Sequence, residues 1–187
     1  ANDKITVTAS PYNVEKFFKE IGLNAPRVRS VMIAGGSRIS YYLTKQLIEM
    51  GIQVKIIEIN EDRCYTLKDM LPAAKIIKGD CTDQNLLLSE GFDKIDAFVA
   101  LTNMDEENVV LSMYANSLDI SKVITKVNRI GYIDMIEKTM SDNTVISPKN
   151  ITANSIIQYV RAMQNGMGSN IETLYKIVDG KAEALEF

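Results

Sequence analysis

The sequence predicts an α/β protein built on a doubly wound parallel sheet. From Val31 to about Ile146, short apolar runs have the near-continuous hydrophobic character of strands that are covered on both faces. Amphipathic helical patterns separate these runs, so strands and helices alternate. A glycine pair, Gly35 and Gly36, closes the first run, where such a sheet makes its first strand-to-helix turn. Because crossovers between parallel strands are right-handed, we expect the strand order 3-2-1-4-5-6.

The predicted elements follow one another along the chain. Six runs are predicted to be strands: SVMIA, VKIIEI, AKIIKG, DAFVAL, KVITKV and TVI. The helix after the first strand has four apolar residues at helical spacing: Ile39, Leu43, Leu47 and Met50. Gly51 is predicted to end that helix. The helix after the fourth strand is predicted to bury a stripe of its own: Val109, Val110, Met113 and Leu118.

The segments on either side of this region are predicted to belong to other modules. Residues 3–23 show a strand and then a helix, neither with an obvious partner. After the sheet, Ser147 as N-cap and Pro148 in the first turn begin a helix, which Gly166 ends. A hairpin around Asp179-Gly180 follows. We therefore expect the end of one module, a whole nucleotide-binding type of domain, and the start of a second module.

Composition and charge exclude several classes of function. An apolar content of 46% and a charged content of 24% are those of a soluble globular chain. A net charge of -3 gives no electrostatic reason to expect nucleic acid. No apolar run approaches the roughly 20 residues of a membrane span. The lack of histidine excludes Ser-His-Asp and Cys-His nucleophiles and most zinc sites. Cys64 and Cys81 are expected to be buried free thiols.

The first strand-to-helix turn, GGSRIS, is a candidate phosphate site. The backbone N–H groups after Gly35 open a helix whose N-terminus favours an anion. Ser37 and Ser40 occupy the second and third glycine positions of the G-x-G-x-x-G pattern. The Ser37 hydroxyl can donate to a phosphate, and Ser40 is small enough for close packing of helix on strand. An ordinary strand-to-helix turn is the alternative. The candidate binding residues of this turn are Gly35, Gly36, Ser37, Arg38 and Ile39.

An acidic residue at the end of the second strand favours a nucleotide. Glu58 lies 23 residues after Gly35, where the Rossmann pattern uses an acidic side chain to accept hydrogen bonds from a ribose diol. Its charge would repel a 2′-phosphate, which favours NAD(H) or an adenine mononucleotide over NADP. Glu58 and the Ile59 that follows it are candidate binding residues. Arg63 is a candidate to stack on adenine, with a solvated surface charge as the alternative.

Polar residues follow the later strands at the same edge of the predicted sheet, the side where ligands bind. Candidates after the third strand are Gly79, Asp80, Cys81 and Thr82. Candidates after the fourth and fifth strands are Leu101, Thr102, Asn103 and Lys126, with Arg129 nearby. For Thr82 or Asp83 a helix N-cap is the alternative. Asp105 and Glu106 start a helix, where acidic residues are favoured without any function.

No group in this sequence stands out as a hydride-transfer acid or base, which favours a site that senses a nucleotide without converting it. The residues taken together resemble the RCK (KTN, or TrkA-N) domain family. The resemblance runs from about Val28 to Met163 and rests on the glycine turn, on Glu58 and on the run GDCTD, which matches the family's GDxTD. The chain is similar to the second of two nucleotide-binding halves in the regulatory subunits of potassium-uptake systems.

The resemblance implies a cytoplasmic regulatory subunit at the inner face of the plasma membrane, controlling a membrane-embedded potassium transporter. It implies NAD or NADH as the ligand, with ATP, ADP or AMP as alternatives, and a homodimer or higher ring formed through the crossover helix. No metal and no nucleic acid are expected. From the residues alone, two other functions stay open. One is a ligand-free repeat that only mediates assembly, and the other is a fragment of an NAD-dependent oxidoreductase.

The resemblance also implies how the chain is divided. Residues 1–25 would be the tail of a preceding RCK C-terminal lobe, and residues 28–146 the Rossmann-like nucleotide-binding lobe. Residues 147–166 would form the crossover and dimerisation helix. Residues 167–187 would begin the next C-terminal lobe. This division accounts for both of the flanking segments that lack partners.

Overall fold

The chain divides into two units, which we describe separately: residues 27–150, and residues 1–26 together with 151–187. The structure is a computed structural model, and it describes residues 7, 9–22, 27–139, 144–165, 173–177 and 182–186. Strand and helix alternate throughout the first unit, as predicted.

The sheet of this unit has six parallel strands in the order β3-β2-β1-β4-β5-β6, so the predicted order is confirmed. Each predicted run forms one strand: β1 (Ser30–Ala34), β2 (Gln53–Glu58), β3 (Lys75–Lys78), β4 (Ala97–Ala100), β5 (Lys122–Lys126) and β6 (Thr144–Ile146). The central strands β1 and β4 are buried on both faces, whereas the edge strands β3 and β6 are partly exposed. In β1, Met32 and Ala34 join one core while Val31 and Ile33 join the other.

Helices cover both faces of the sheet. They are α2 (Arg38–Glu49), α3 (Glu61–Met70), α4 (Gln84–Ser89), α5 (Asp105–Ser117) and α6 (Ile130–Thr139), with a short 3₁₀ turn at Phe92–Lys94. Leu67 of α3 packs into the core with Val31, whereas Leu111 of α5 packs into the core with Met32. Helix α3, which connects β2 to β3, therefore lies on one face of the sheet. Helix α5, which connects β4 to β5 on the other side of β1, lies on the opposite face.

Two of the predicted helix faces need correction. In α5, Val110 and Met113 are exposed, not buried. Apart from Leu111, the buried residues of the helix are small or polar: Asp105, Asn108, Ser112 and Ala115. In α2, Leu43 and Leu47 pack on the sheet as predicted, whereas Ile39 and Met50 are exposed. The face of α2 that meets the sheet is centred on Ser40 and Thr44, and close approach of a helix to a strand favours such small residues.

Gly51 ends α2 as predicted. It has a positive φ of 77°, and its N–H donates to Ile48 O at 2.9 Å. Here only a glycine adopts the backbone conformation without strain.

The second unit contains α1 (Pro11–Glu20), most of α7 (Pro148–Asn165) and an antiparallel pair, β7 (Thr173–Ile177) with β8 (Ala182–Glu186). The strand predicted before α1, Gly166, and the turn residues of the hairpin lie outside the described residues. Helix α7 begins at Pro148 as predicted, but Ser147 does not cap it with its side chain: its buried Oγ has no hydrogen-bond partner among the described residues. Within the described part of the chain, no helix combines the length and apolar character needed to cross a membrane.

Candidate nucleotide site

The register of the sheet brings the ends of four strands level at one edge. Ala34 pairs with Ile57 on one side and with Ala100 on the other. The ladder then continues one step past the strands: Gly35 N donates to Ile57 O at 2.8 Å, Gly79 N to Glu58 O at 2.9 Å, and Leu101 N to Ala34 O at 2.8 Å. The glycine turn, Glu58 and the segments after β3 and β4 therefore meet at this edge.

Both glycines of the turn fill places that a side chain would obstruct. Gly35 has a φ of 94°, and a Cβ there would lie 2.9 Å from the carbonyl oxygen of Leu101. A Cβ on Gly36 would lie 2.6 Å from Leu67 Cδ1 and 2.8 Å from Glu58 Oε2. The turn is therefore pressed against β4 on one side and against Glu58 on the other.

The two serines at the glycine positions build the start of helix α2. Ser37 is its N-cap and accepts a hydrogen bond from Ser40 N at 3.3 Å. Ser40, which is fully buried, donates its hydroxyl to Gly35 O at 2.5 Å, and the two hydroxyl oxygens lie 3.1 Å apart. The N–H groups of Arg38 and Ile39 accordingly remain as the open donors of the first turn among the described residues.

Glu58 and Arg63 bind the two backbone polar groups of Gly36. Gly36 N donates to Glu58 Oε2 at 2.6 Å, while Arg63 Nε donates to Gly36 O at 2.6 Å. The other carboxylate oxygen of Glu58 accepts from Asn60 N at 2.7 Å, and Arg63 Nη2 reaches Ser37 O at 3.3 Å. Arg63 is thus not a solvated surface charge, because its guanidinium group donates to two carbonyl oxygens of the glycine turn.

The segment after β3 contains two acidic residues, Asp80 and Asp83, and the thiol of Cys81. Asp80 Oδ1 accepts from Thr82 N at 2.8 Å and from Thr82 Oγ1 at 2.7 Å, and these hydrogen bonds hold the pKa of Asp80 below its usual value. Asp83, not Thr82, caps α4. Cys81 is buried, and its Sγ donates to Glu107 Oε1 at 2.9 Å. Burial, and then the Glu107 carboxylate, raise the pKa of the Cys81 thiol, which therefore stays protonated.

The segment after β4 is fixed by Asn108, a fully buried residue of α5. Its Oδ1 accepts from Thr102 N at 2.9 Å and from Thr102 Oγ1 at 2.8 Å. Its Nδ2 donates to Thr102 O at 3.2 Å and to Lys126 O at 3.0 Å. One side chain thereby ties the ends of β4 and β5 together, next to the point between β1 and β4 where the strand order reverses.

These segments enclose a cavity of about 660 Å³, a size within the usual range for small-molecule sites. Thirteen of the predicted residues line it: Gly35, Gly36, Ser37, Glu58, Ile59, Arg63, Gly79, Asp80, Cys81, Thr82, Leu101, Thr102 and Asn103. The lining also contains four residues that the sequence did not single out: Ile57, Asn60, Met104 and Glu107. Asn60 could have been recognised from the sequence as a helix N-cap, because asparagine is favoured immediately before a helix. In the structure it caps α3, and its Oδ1 accepts a hydrogen bond from Arg63 N at 2.8 Å.

Three predicted site residues do not line the cavity. Arg38 and Ile39 are the first residues of α2, and both are exposed and absent from the cavity lining. Lys126 ends β5, but it is 5% exposed and buried away from the cavity. Burial lowers the pKa of its ammonium group, and the charge of Asp105 opposes this. Arg129 pairs with Glu106 at 2.9 Å on an exposed surface.

The helices that begin at this edge differ in charge. The first turn of α2 has no acidic residue, so its N-terminus keeps the partial positive charge that favours an anion. The first turn of α5 contains three acidic residues, Asp105, Glu106 and Glu107, which offset its own helix dipole. An anionic group would therefore bind at α2. Among the described residues, no cluster of three or more Cys, Asp or Glu side chains is arranged to hold a metal ion.

The profile of the TrkA-N domain family matches residues 31–148. The chain is 30% identical over 188 residues to the Trk system potassium uptake protein TrkA homolog 2 of Methanosarcina mazei, and 32% identical over 186 residues to the Trk system potassium uptake protein TrkA of Vibrio alginolyticus. These alignments cover 100% of the chain but 40% and 39% of those proteins. The chain thus spans about two fifths of the length of these relatives.

Solved structures share the fold at lower sequence identity. The GsuK channel bound to NAD matches with a TM-score of 0.57 and 17% identity, covering 90% of this chain and 30% of that one. The Kef C-terminal domain of Shewanella denitrificans, in an AMP-bound form, matches with a TM-score of 0.57 and 15% identity, covering 75% and 83%.

Proposed function

Because the chain belongs to the TrkA-N domain family, we propose that it is a regulatory, nucleotide-binding part of a potassium uptake system. The observation that carries the proposal is that Glu58 binds the backbone N–H of Gly36 and Arg63 binds its carbonyl oxygen, in the cavity lining and beside the N-terminus of α2. This arrangement holds a turn that could bind phosphate next to a carboxylate that could accept hydrogen bonds from a ribose.

The proposed ligand is NAD or NADH, with ATP, ADP and AMP as alternatives. Its phosphates would accept hydrogen bonds from the open N–H groups of Arg38 and Ile39, at the uncompensated end of α2. The hydroxyls of a ribose would donate to Glu58, which also disfavours a 2′-phosphate. In support, the solved structures of similar fold include one bound to NAD and one bound to AMP.

The proposed role is cytoplasmic and non-catalytic, at the inner face of the membrane that holds a potassium transporter subunit. The relatives are named as potassium uptake proteins, which supports a regulatory role over that of an oxidoreductase fragment. In this proposal residues 28–146 bind the nucleotide and residues 147–166 cross to a second copy, forming a homodimer or a higher ring. Residues 1–25 and 167–187 belong to flanking lobes. A nucleotide would regulate transport by binding one arrangement of these paired domains better than another.

Calorimetry on the whole chain tests the proposal with Glu58→Gln. We expect at least one of NAD, NADH, ATP, ADP and AMP to bind in the micromolar range. The variant should weaken binding about tenfold or more, since a hydrogen bond to a charged group is lost. Glu61→Gln is the matched control, because it removes the same charge three residues further along the chain. Glu61 pairs with Lys78 and does not line the cavity. The proposal is wrong if no nucleotide binds below millimolar concentration, or if both variants bind like the parent.

A ligand-free assembly role is the second candidate, and one observation favours it. The Gly36 N–H and both oxygens of Glu58 already have hydrogen-bond partners within the chain. The same titrations separate the two candidates, because an assembly module would form its oligomer normally and bind none of the five nucleotides.

A further inference from the structure

The charge of the cavity lining is unbalanced. Three carboxylates line it, Glu58, Asp80 and Glu107, against one cationic side chain, Arg63. Arg63 already donates to the carbonyl oxygens of the glycine turn. The cavity is therefore negative overall, although it lies beside a helix N-terminus that favours anions.

Glu107 differs from the other two carboxylates in its partners. Glu58 and Asp80 accept hydrogen bonds from backbone N–H groups, whose dipoles offset part of their charge. Among the described residues, the recorded hydrogen bond to Glu107 comes from the neutral thiol of Cys81, and no cation pairs with it. Apart from the dipole of α5, which Glu107 shares with Asp105 and Glu106, neither a backbone N–H nor a cation offsets its charge among the described residues.

Cys81 also holds the Glu107 carboxylate in place. The thiol is 8% exposed and packs in the core with Ile77 and Leu87, so it cannot follow a side chain that swings outward. A hydrogen bond of 2.9 Å from this fixed donor keeps Glu107 Oε1 at the cavity wall. The Glu107 carboxylate therefore stays in the cavity lining.

We infer that Glu107 is a specificity-determining residue, which makes the cavity prefer nucleotides of low negative charge and disfavour long phosphate chains. The inference rests on the proposed function, because it requires that a nucleotide binds. Each further phosphate adds about one or more negative charges. In a partly enclosed site such a charge is repelled by Glu107 much more strongly than in bulk water. NAD and AMP should therefore bind more tightly than ADP, and ADP more tightly than ATP.

The test uses the whole chain, titrated with NAD, AMP, ADP and ATP in a chelating buffer that keeps the nucleotides free of divalent cations. Glu107→Gln removes the charge but keeps an oxygen to accept from Cys81. We expect it to tighten ATP binding about tenfold, while NAD and AMP change by less than about twofold. Glu106→Gln is the matched control, since it loses the same charge in the same helical turn but lies outside the cavity. It should leave the ratio of ATP to AMP affinity unchanged.

Several results would overturn the inference. Equal ATP-to-AMP ratios in the parent and in Glu107→Gln would remove it while leaving the proposed function intact. If Glu107→Gln binds ATP more weakly than the parent when Mg²⁺ is added, Glu107 binds the cation that accompanies ATP and does not act by repelling phosphates. No binding of any nucleotide to the parent would remove the proposed function and this inference together. If Glu107→Gln does not fold, Cys81→Ala tests the same point: releasing the carboxylate should narrow the ATP-to-AMP ratio, and an unchanged ratio contradicts the inference.

Discussion

The backbone N–H and C=O groups of Gly36 concentrate the interactions that shape the candidate site. The N–H is bound by a carboxylate and the carbonyl by a guanidinium, so opposite charges fix the two successive peptide groups that flank the Cα of this residue. Such charge-assisted hydrogen bonds are stronger than neutral ones. The glycine itself is required because Glu58 and Leu67 fill the space where a Cβ would stand.

Gly36→Ala should therefore damage both folding and binding. The new methyl group would lie 2.6 Å from Leu67 Cδ1, and Leu67 is fully buried and cannot yield freely. We expect a loss of about 1–3 kcal/mol in the free energy of unfolding and weaker nucleotide binding. Gly131→Ala is the control, since nothing lies within 4 Å of its Cβ position in helix α6, and alanine there should stabilise by up to about 1 kcal/mol. Denaturant titration measures both, and equal stabilities would contradict the steric argument.

Among the elements, helix α5 acts as a clamp on the ends of two strands. Asn108 ties Thr102 to Lys126, and Asp105 accepts from Asn128 N at 2.9 Å and from Arg129 N at 2.9 Å. The acidic start of this helix was expected to have no function beyond favouring the helix dipole. In the structure Asp105 instead fixes the loop that follows β5.

The pH dependence of stability should reveal the Asp105 clamp. Burial alone would raise the pKa of Asp105, but the N–H groups of Asn128 and Arg129 outweigh it and hold the pKa below its ordinary value. Because the folded pKa is the lower one, the stabilisation is complete above the unfolded value of about 3.9 and is lost as the pH falls below it. Asp105→Asn should cost about 1–2 kcal/mol at pH 7, and the difference from the parent should shrink towards pH 3.

Thermal or urea unfolding between pH 3 and pH 7 gives this comparison. Glu106→Gln is the control, because its exposed pair with Arg129 should contribute about 0.5 kcal/mol or less. A pH-independent cost for Asp105→Asn would mean that the side chain acts by shape and not by charge.

Elements and sites differed in how far the sequence predicted them. The six strands of the parallel sheet were predicted from runs rich in apolar residues, which are most continuous in β1 and β4, where both faces are buried. The buried face of α5 was not, since it meets the sheet with Asn108, Ser112 and Ala115, whose polarity or small size hides the stripe. Most of the cavity lining follows from position at a strand end. Glu107 was not predicted to line the cavity, because acidic residues are common in the first turn of any helix. Lys126 was wrongly expected to line it, because its position at a strand end does not determine where its buried side chain lies.

At the scale of the whole molecule, the candidate site lies entirely within one of the two units. The six-stranded sheet, the helices on both of its faces and every residue of the cavity lining fall between residues 27 and 150. The buried hydrophobic residues of the described chain also fall within this range.

A fragment of residues 27–150 should therefore fold by itself and bind the same nucleotide. Its core is complete, which predicts a cooperative transition with a Tm within about 5 °C of the whole chain. Its dissociation constant for the ligand should agree within about threefold, because no lining residue is removed. A fragment of residues 27–165, which keeps all of α7, is the control for loss of that helix. If the shorter fragment is unfolded while the longer one is folded, α7 contributes to the core after all. If both fold but neither binds a nucleotide that the whole chain binds, the site requires residues of the second unit.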